Sequence, residues 1–165
     1  DYYVTLVDYN INDLQSSIGL HQIKKLDNFI EVRQKYADLY ETMLDGLPGI
    51  KIVKKIKNIK HAHNFYIIIL DIEKLKIDRN QFSEYLKAEN IQSKIHFASL
   101  HQHPYYKSKY NLKDCDYPNA SYLSDRVLSL PLYPGMVEKD VRDVIKAIKK
   151  IIGANLKKVN INQLQ

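Results

Sequence analysis

The sequence predicts an α/β chain: a long N-terminal helix followed by a small sheet covered by helices. Three observations lead there. Asn12 and Gln15 supply the two halves of a capping box at the head of a long apolar-periodic run. Two β-type segments follow that run. A last helix then carries Val141, Val144, Ile145, Ile148 and Ile152 along one side. At 165 residues and 45% hydrophobic content, the chain has the size and the apolar side chains for one compact core.

The first helix starts where Asn12 caps it and Gln15 reaches back. From there Leu14, Ile18, Ile23, Leu26, Ile30, Ala37, Tyr40 and Leu44 recur at mostly three- and four-residue steps, with no proline before Pro48. Gly46, Pro48 and Gly49 end the run. About 32 helical residues at about 1.5 Å each reach roughly 50 Å, longer than a domain of this size needs. The helix is therefore expected to pack against something besides this chain, and Asp27 and Asn28 are the expected place for a bend.

Beyond it, IKIVKKI alternates like a half-buried strand, and NFYIIILDI reads as a strand buried on both faces, with NIKHAH as the turn between them. Asp78 offers an N-cap for a helix through RNQFSEYLKAEN, and QSKIHFASL alternates as a further strand. Residues 118–128 and 138–152 read as two more helices, giving the order α-β-β-α-β-α-α. After Gly153, NLKKVNINQLQ reads as a frayed tail. No internal repeat or Gly/Ser linker divides the chain.

Composition narrows the function classes. The longest apolar stretch, FYIIIL, is far short of the ~18 residues a membrane span requires. The opening DYYVTLVDYN has neither a methionine nor a signal-peptide layout and reads as a truncation point. Cys115 is the only cysteine, which excludes an internal disulfide and a cysteine-based zinc cage and agrees with the cytoplasm. The formal charge of +6 comes mainly from lysines along helices and from KIVKKIKNIK, a basic strand more than a basic patch. The 13 tyrosines fall largely in loops and helices, whereas an RNA-binding sheet would set aromatics on adjacent strands. No nucleic-acid or membrane partner is expected, although a small basic nucleic-acid-binding domain stands as an alternative.

The segment KIHFASLHQHPYY places His96, His101 and His103 within eight positions. His101 and His103 are spaced as on one strand face, yet Pro104 follows and no acidic residue lies between Glu89 and Asp114 to complete a metal site. Pocket-lining imidazoles are the expected reading. His61 and His63 are expected to make structural hydrogen bonds. Cys115 lies between Asp114 and Asp116, whose charges disfavour a thiolate. Ser16, Ser17, Ser99 and Ser129 have no glycine-framed elbow, and the five scattered glycines make no phosphate loop. Nothing here is self-sufficient as a catalyst.

Five segments in order change the reading: DYNINDLQSSIGLHQIKKLDNFIEVRQKYADLYETML, LPGI, HAHNFYIIIL, KAENIQSKIHFASLHQHPYY and PNASYLSDRVLSLPLYPGMVEKDV. Most specific is LSLPLYPGM with a short acidic helix start, downstream of IHF-x-x-LH. From about residue 4 to residue 152 the chain resembles the C-terminal half of the DegT/StrS family of pyridoxal-phosphate-dependent sugar-nucleotide aminotransferases. The resemblance implies the small C-terminal domain of an aspartate-aminotransferase-like fold. Residues 1–12 would come from the cofactor-proximal region, 13–46 would be the long connecting helix, 47–153 the small α/β domain and 154–165 a flexible tail.

It also implies a homodimer that uses pyridoxal 5'-phosphate, a sugar-nucleotide substrate and an amino-acid donor, with glutamate the expected one. The lysine that forms the Schiff base, the acidic partner of the pyridine nitrogen and the group stacking on the ring would all lie upstream, so no catalytic residue is assigned here and the chain alone is expected to be inactive. The family's Gly-Tyr-Asn-Tyr-Arg-Met-(Thr/Ser)-Asp, whose asparagine reaches the cofactor phosphate, is matched here only by LVDYNIND. Without a gap Asp8 falls at the asparagine position, where a carboxylate would repel a phosphate. With a short deletion Asn10 falls there, and Asn10 is the preferred cofactor-binding candidate. His96, His101 and Tyr9 are the substrate-pocket candidates. The degraded LVDYNIND also leaves open a noncatalytic remnant or regulatory module of the same fold.

Overall fold

The computed structural model describes residues 10–56, 58–96 and 98–157. The capping box forms as expected: Asn12 Oδ1 accepts from the Gln15 N–H at 2.9 Å and Gln15 Oε1 from the Asn12 N–H at 3.1 Å. It opens α1 (Asp13–Ile23), which α2 (Leu26–Leu44) follows. The expected single helix is thus divided at Lys24 and Lys25, ahead of Asp27 and Asn28. Both lysines keep right-handed helical dihedrals, and the Lys25 N–H turns to the Gln22 carbonyl three residues back. The break is a locally tightened turn, which sharpens the helix without ending it.

α2 buries Tyr36, Ala37, Tyr40 and Leu44 at three- and four-residue steps, whereas α1 buries nothing. Gly46 (φ +73°) and Gly49 (φ +88°) then turn the chain into β1 (Ile50–Ile52). At Gly49 a Cβ would stand 2.9 Å from Leu75 Cδ2 in addition to the left-handed φ. Gly49→Ala is accordingly expected to cost about 1–3 kcal/mol, read from the urea midpoint at an unchanged slope.

The remaining elements are β2 (Tyr66–Leu70), α3 (Arg79–Ala88), β3 (Lys94–Ile95), α4 (Pro104–Tyr110), α5 (Pro118–Ser124), β4 (Val127–Leu130) and α6 (Glu138–Asn155). Asp78 caps α3 in a second capping box, with Gln81 as its partner. The strands form one antiparallel sheet in the order β1-β2-β4-β3. Tyr66, Ile68 and Leu70 of β2 and Leu128 and Leu130 of β4 point into the core with Phe82, Leu86 and the apolar side of α6, which packs against both α2 and α3. Tyr40 stacks on Tyr66 at 4.8 Å, and its hydroxyl donates to the Pro131 carbonyl at 3.0 Å. Burial raises both phenol pKa values and keeps them protonated.

Three expectations are corrected. Residues 118–128 are not one helix: α5 ends at Ser124, and Val127–Leu130 becomes an inner strand whose partners lie far away in sequence. A short apolar run such as VLSL carries no period long enough to distinguish helix from strand, so pairing decides. PYYKSKY, for which the sequence predicts no element, forms the helix α4, with Pro104 at its first turn. NFYIIILDI is buried on one face only, since Ile67 and Ile69 are half-buried, as an antiparallel sheet helix-covered on one side allows.

Candidate functional site

The sheet register gathers the first cluster. Ile67 of β2 and Lys94 of β3 both pair with Ser129 of β4, and residues directly opposite in a sheet share a face. Phe65 and His96, two positions along from Ile67 and Lys94, belong to that same face, away from the helical layer. There His96 Nε2 is hydrogen-bonded to the buried Ser129 hydroxyl, Phe65 meets the His96 ring edge-on at 5.2 Å, and the Lys94 ammonium lies 5.8 Å from the Phe65 ring. Desolvation first, and then the Lys94 charge, lower the His96 pKa, so the imidazole is neutral at pH 7. A neutral imidazole fixed through Nε2 can present one further donor or acceptor to a ligand. Ser129, set aside as a nucleophile, is the anchor of this histidine. Alternation in VLSL places it opposite Leu128 and Leu130, and only the strand pairing reveals its partner.

Phe65, Lys94 and Ser129 also line an open groove of about 1170 Å³ at the C-terminal end of β4, completed by Tyr133, Asp140 and Lys146 among others. Its wall includes Pro131, which Tyr40 holds from below. The groove carries both signs of charge, with Glu89 paired to Lys150 at 2.6 Å and Asp143 to Lys139 at 2.8 Å.

His101 has a different environment. It is 5% exposed, stacks on Tyr117 at 5.0 Å, and meets Ser121 Oγ at 2.8 Å and Asp114 Oδ1 at 3.5 Å through Nε2. The Ser121 hydroxyl donates to the Asp114 carbonyl, so the His101 Nε2–H is the donor to Ser121. His96 and His101 have no partner in common in these contacts. His101 ties the segment after β3 to α5, together with Ser99 Oγ to the Ala120 carbonyl at 3.0 Å and Ser124 Oγ to Gln102 Oε1 at 2.7 Å. His103 donates from Nε2 to the Ala98 carbonyl at 3.2 Å. Among the described residues, no group of three or more His, Cys, Asp or Glu side chains is placed to hold a metal ion.

His61 Nδ1 accepts from the His63 N–H at 2.9 Å, and the two rings lie 4.1 Å apart. His63 is buried at φ +45°, and its Nε2 has no hydrogen-bond partner among the described residues. Burial, reinforced by His61 and Lys55, lowers its pKa below 6.5. His63 and His96 thus both titrate lower in the folded chain than unfolded, so the unfolded state binds more protons between the two values. Their stabilisation is complete above about pH 6.5 and is lost as pH falls through the folded pKa values. Urea midpoints are expected to fall between pH 7.5 and 5.5, less steeply in His63→Asn, since asparagine tolerates the left-handed backbone. An unchanged slope in that variant would remove His63 from the account.

Of the N-terminal candidates, Tyr9 and the alternative Asp8 lie outside the described residues. Asn10 is exposed, two residues ahead of the N-cap of α1. A side-chain amide there is a chemically suitable donor to one phosphate oxygen, but Asp13 in the first turn opposes a second anion, and Asn12 already occupies the Gln15 N–H. Pyridoxal phosphate also needs a lysine at its aldehyde and a carboxylate at its ring nitrogen. Lys94, the groove lysine on the sheet face, lies over Phe65 with no carboxylate within ion-pairing distance among the described residues. The described residues fit one phosphate contact and do not assemble the remainder of a cofactor site.

This small antiparallel sheet, helix-covered on one face and preceded by α1 and α2, has an aspartate-aminotransferase-like fold. The PLP form of Spr1654 from Streptococcus pneumoniae shares this fold at a TM-score of 0.79 and 23% identity, over 88% of this chain and 36% of that one. The chain belongs to the DegT/DnrJ/EryC1/StrS aminotransferase family, whose model matches residues 3–149. It is 41% identical to the protein MJ1066 of Methanocaldococcus jannaschii, over 89% of this chain and 38% of that protein. It is 38% identical to the spore coat polysaccharide biosynthesis protein SpsC of Bacillus subtilis, over 92% of this chain and 40% of that protein. The chain therefore spans about two fifths of the length of these relatives. No helix among the described residues is long and apolar enough to cross a membrane.

Proposed function

We propose that the chain is the small-domain portion of a cytoplasmic, homodimeric sugar-nucleotide aminotransferase that moves an amino group from an amino acid, with glutamate the expected donor, to a keto-sugar nucleotide in polysaccharide or natural-product biosynthesis. The family match across residues 3–149 carries this reading, and the likeness to SpsC supports the polysaccharide setting. Pyridoxal phosphate, held mainly by upstream residues, would supply the electron sink for the transfer. In this chain, Asn10 would donate to its phosphate. His96, neutral and fixed by Ser129, would offer a hydrogen bond to a substrate oxygen from the sheet face. His101 would act by holding the segment after His96 against α5, and Tyr9 would complete the pocket wall.

The test is to join the chain to the upstream sequence of its own gene and assay glutamate-dependent amination of keto-sugar nucleotides. Activity is expected, and His96→Gln is expected to lower kcat/KM roughly tenfold, the worth of one hydrogen bond. Cofactor binding without turnover on any such ketone would overturn the enzymatic reading. It would favour the noncatalytic module that the departure of LVDYNIND from the family pattern also suggests.

A further inference from the structure

β4 ends at the wall of the groove, and its last rungs set Tyr66 opposite Leu130 and Lys94 opposite Ser129. The next residue, Pro131, has no N–H to extend either ladder. Its carbonyl turns instead to Tyr40 of α2, whose hydroxyl donates at 3.0 Å. Among the described residues this is the one hydrogen bond that ties residues 131–135 to the rest of the chain, since the Met136 N–H bonds locally to the Tyr133 carbonyl. Tyr40 is fully buried and stacks on Tyr66, so it grips both sides of the point where β4 leaves the sheet. A phenylalanine would fill the same space and keep the stack. The hydroxyl adds the bond to Pro131, and a buried hydroxyl without a partner costs stability.

We propose that Tyr40 is a positioning residue for the substrate pocket: by fixing the Pro131 carbonyl it holds the end of β4, so that Ser129 presents His96 in one orientation. Pro131 is two positions beyond Ser129, whose hydroxyl is bonded to His96 Nε2, and both residues line the groove. A carbonyl released from Tyr40 must find water at the open groove, and the strand end moves with it. Ser129 then shifts, and His96 loses its fixed partner. Every link runs within this chain, from α2 through β4 to the residue that follows β3. The functional consequence rests on the reading of His96 as a substrate contact, but the coupling itself can be measured without turnover.

The 165-residue chain is isotope-labelled at histidine, and the ring nitrogens of His96 and His101 are followed through pH by NMR. Tyr40→Phe is expected to shift the His96 resonances and to raise its pKa toward about 6.5, because a loosened ring is better solvated. Lys94, whose charge also acts on His96, is unaltered in that variant. His101, tethered to Ser121 of α5, should not respond. Tyr66→Phe is the control, since it removes a phenol oxygen from the same stack without touching Pro131. Titrations repeated in trimethylamine N-oxide keep a weakened variant folded. His96 resonances unmoved in Tyr40→Phe, or moved as far in Tyr66→Phe, overturn the proposal. An equal shift at His101 also overturns it, as the mark of a general loosening. In the joined protein Tyr40→Phe is expected to lower kcat/KM about fivefold and to have no further effect once His96→Gln is present. Additive losses from the two variants would overturn the coupling. A joined protein that fails to transaminate while His96 shifts as expected would count against the enzymatic reading alone.

Discussion

Mixed with pyridoxal phosphate, the 165-residue chain is expected to yield no stoichiometric lysine-bound cofactor and no transamination, whereas the same chain joined to its upstream sequence gains both. The difference is the whole activity, because the resemblance places the covalent lysine and the partner of the ring nitrogen outside this chain. Within the described residues, lysines are occupied in surface contacts such as Lys55 with Asp38, Lys60 with Asp27 at 3.1 Å and Lys139 with Asp143 at 2.8 Å. An amine becomes a ready nucleophile when burial or a neighbouring cation lowers its pKa. Lys51 and Lys139 shift the other way: Lys51 is raised by its hydrogen bond to Tyr122 and Lys139 by its hydrogen bond to Asp143. Borohydride trapping followed by peptide mapping is the measurement. One lysine modified at one equivalent per chain would contradict the expectation, whereas sparse labelling spread over many lysines is its ordinary background.

The isolated chain is also expected to self-associate through α1 and the adjoining turn. Leu14 is 73% exposed, Ile18 57% and Ile23 69%, and α1 has no buried residue at all. Each such side chain forgoes about 1.5–3 kcal/mol relative to burial, so a handful approaches the whole stability of a small domain. A helix of eleven residues is marginal in water without a packed face, so α1 needs a surface to lie on. Sedimentation velocity should show concentration-dependent association, reduced in the double variant Leu14→Glu, Ile18→Glu. Hydrogen exchange across residues 10–30 should be fast in whatever monomer remains. A stable monomer with strong protection there would show that α1 needs no partner surface.

Much of the fold was legible because its signals are local. The capping box at Asn12 and the N-cap at Asp78 each act within four residues, and both formed where the sequence places them. The apolar stripe of α6 and the glycine-proline punctuation after Leu44 likewise act within a few residues of chain. The candidate site was legible only in outline. His96 and His101 stood out as residue types, but their separation into one sheet-face imidazole and one buried tether was not written in their spacing.

The sequence by itself determined where helices begin, which helical faces are apolar and which family the segments resemble, since each depends on residues within a few turns of one another. The tertiary structure alone decided that Val127–Leu130 is an inner strand, that Ser129 holds His96 from 33 positions away and that Tyr40 fixes Pro131 across the core from 91. Strand pairing and burial are set by which distant segments exclude water together. Nothing in a run of four apolar or hydroxyl residues specifies that choice.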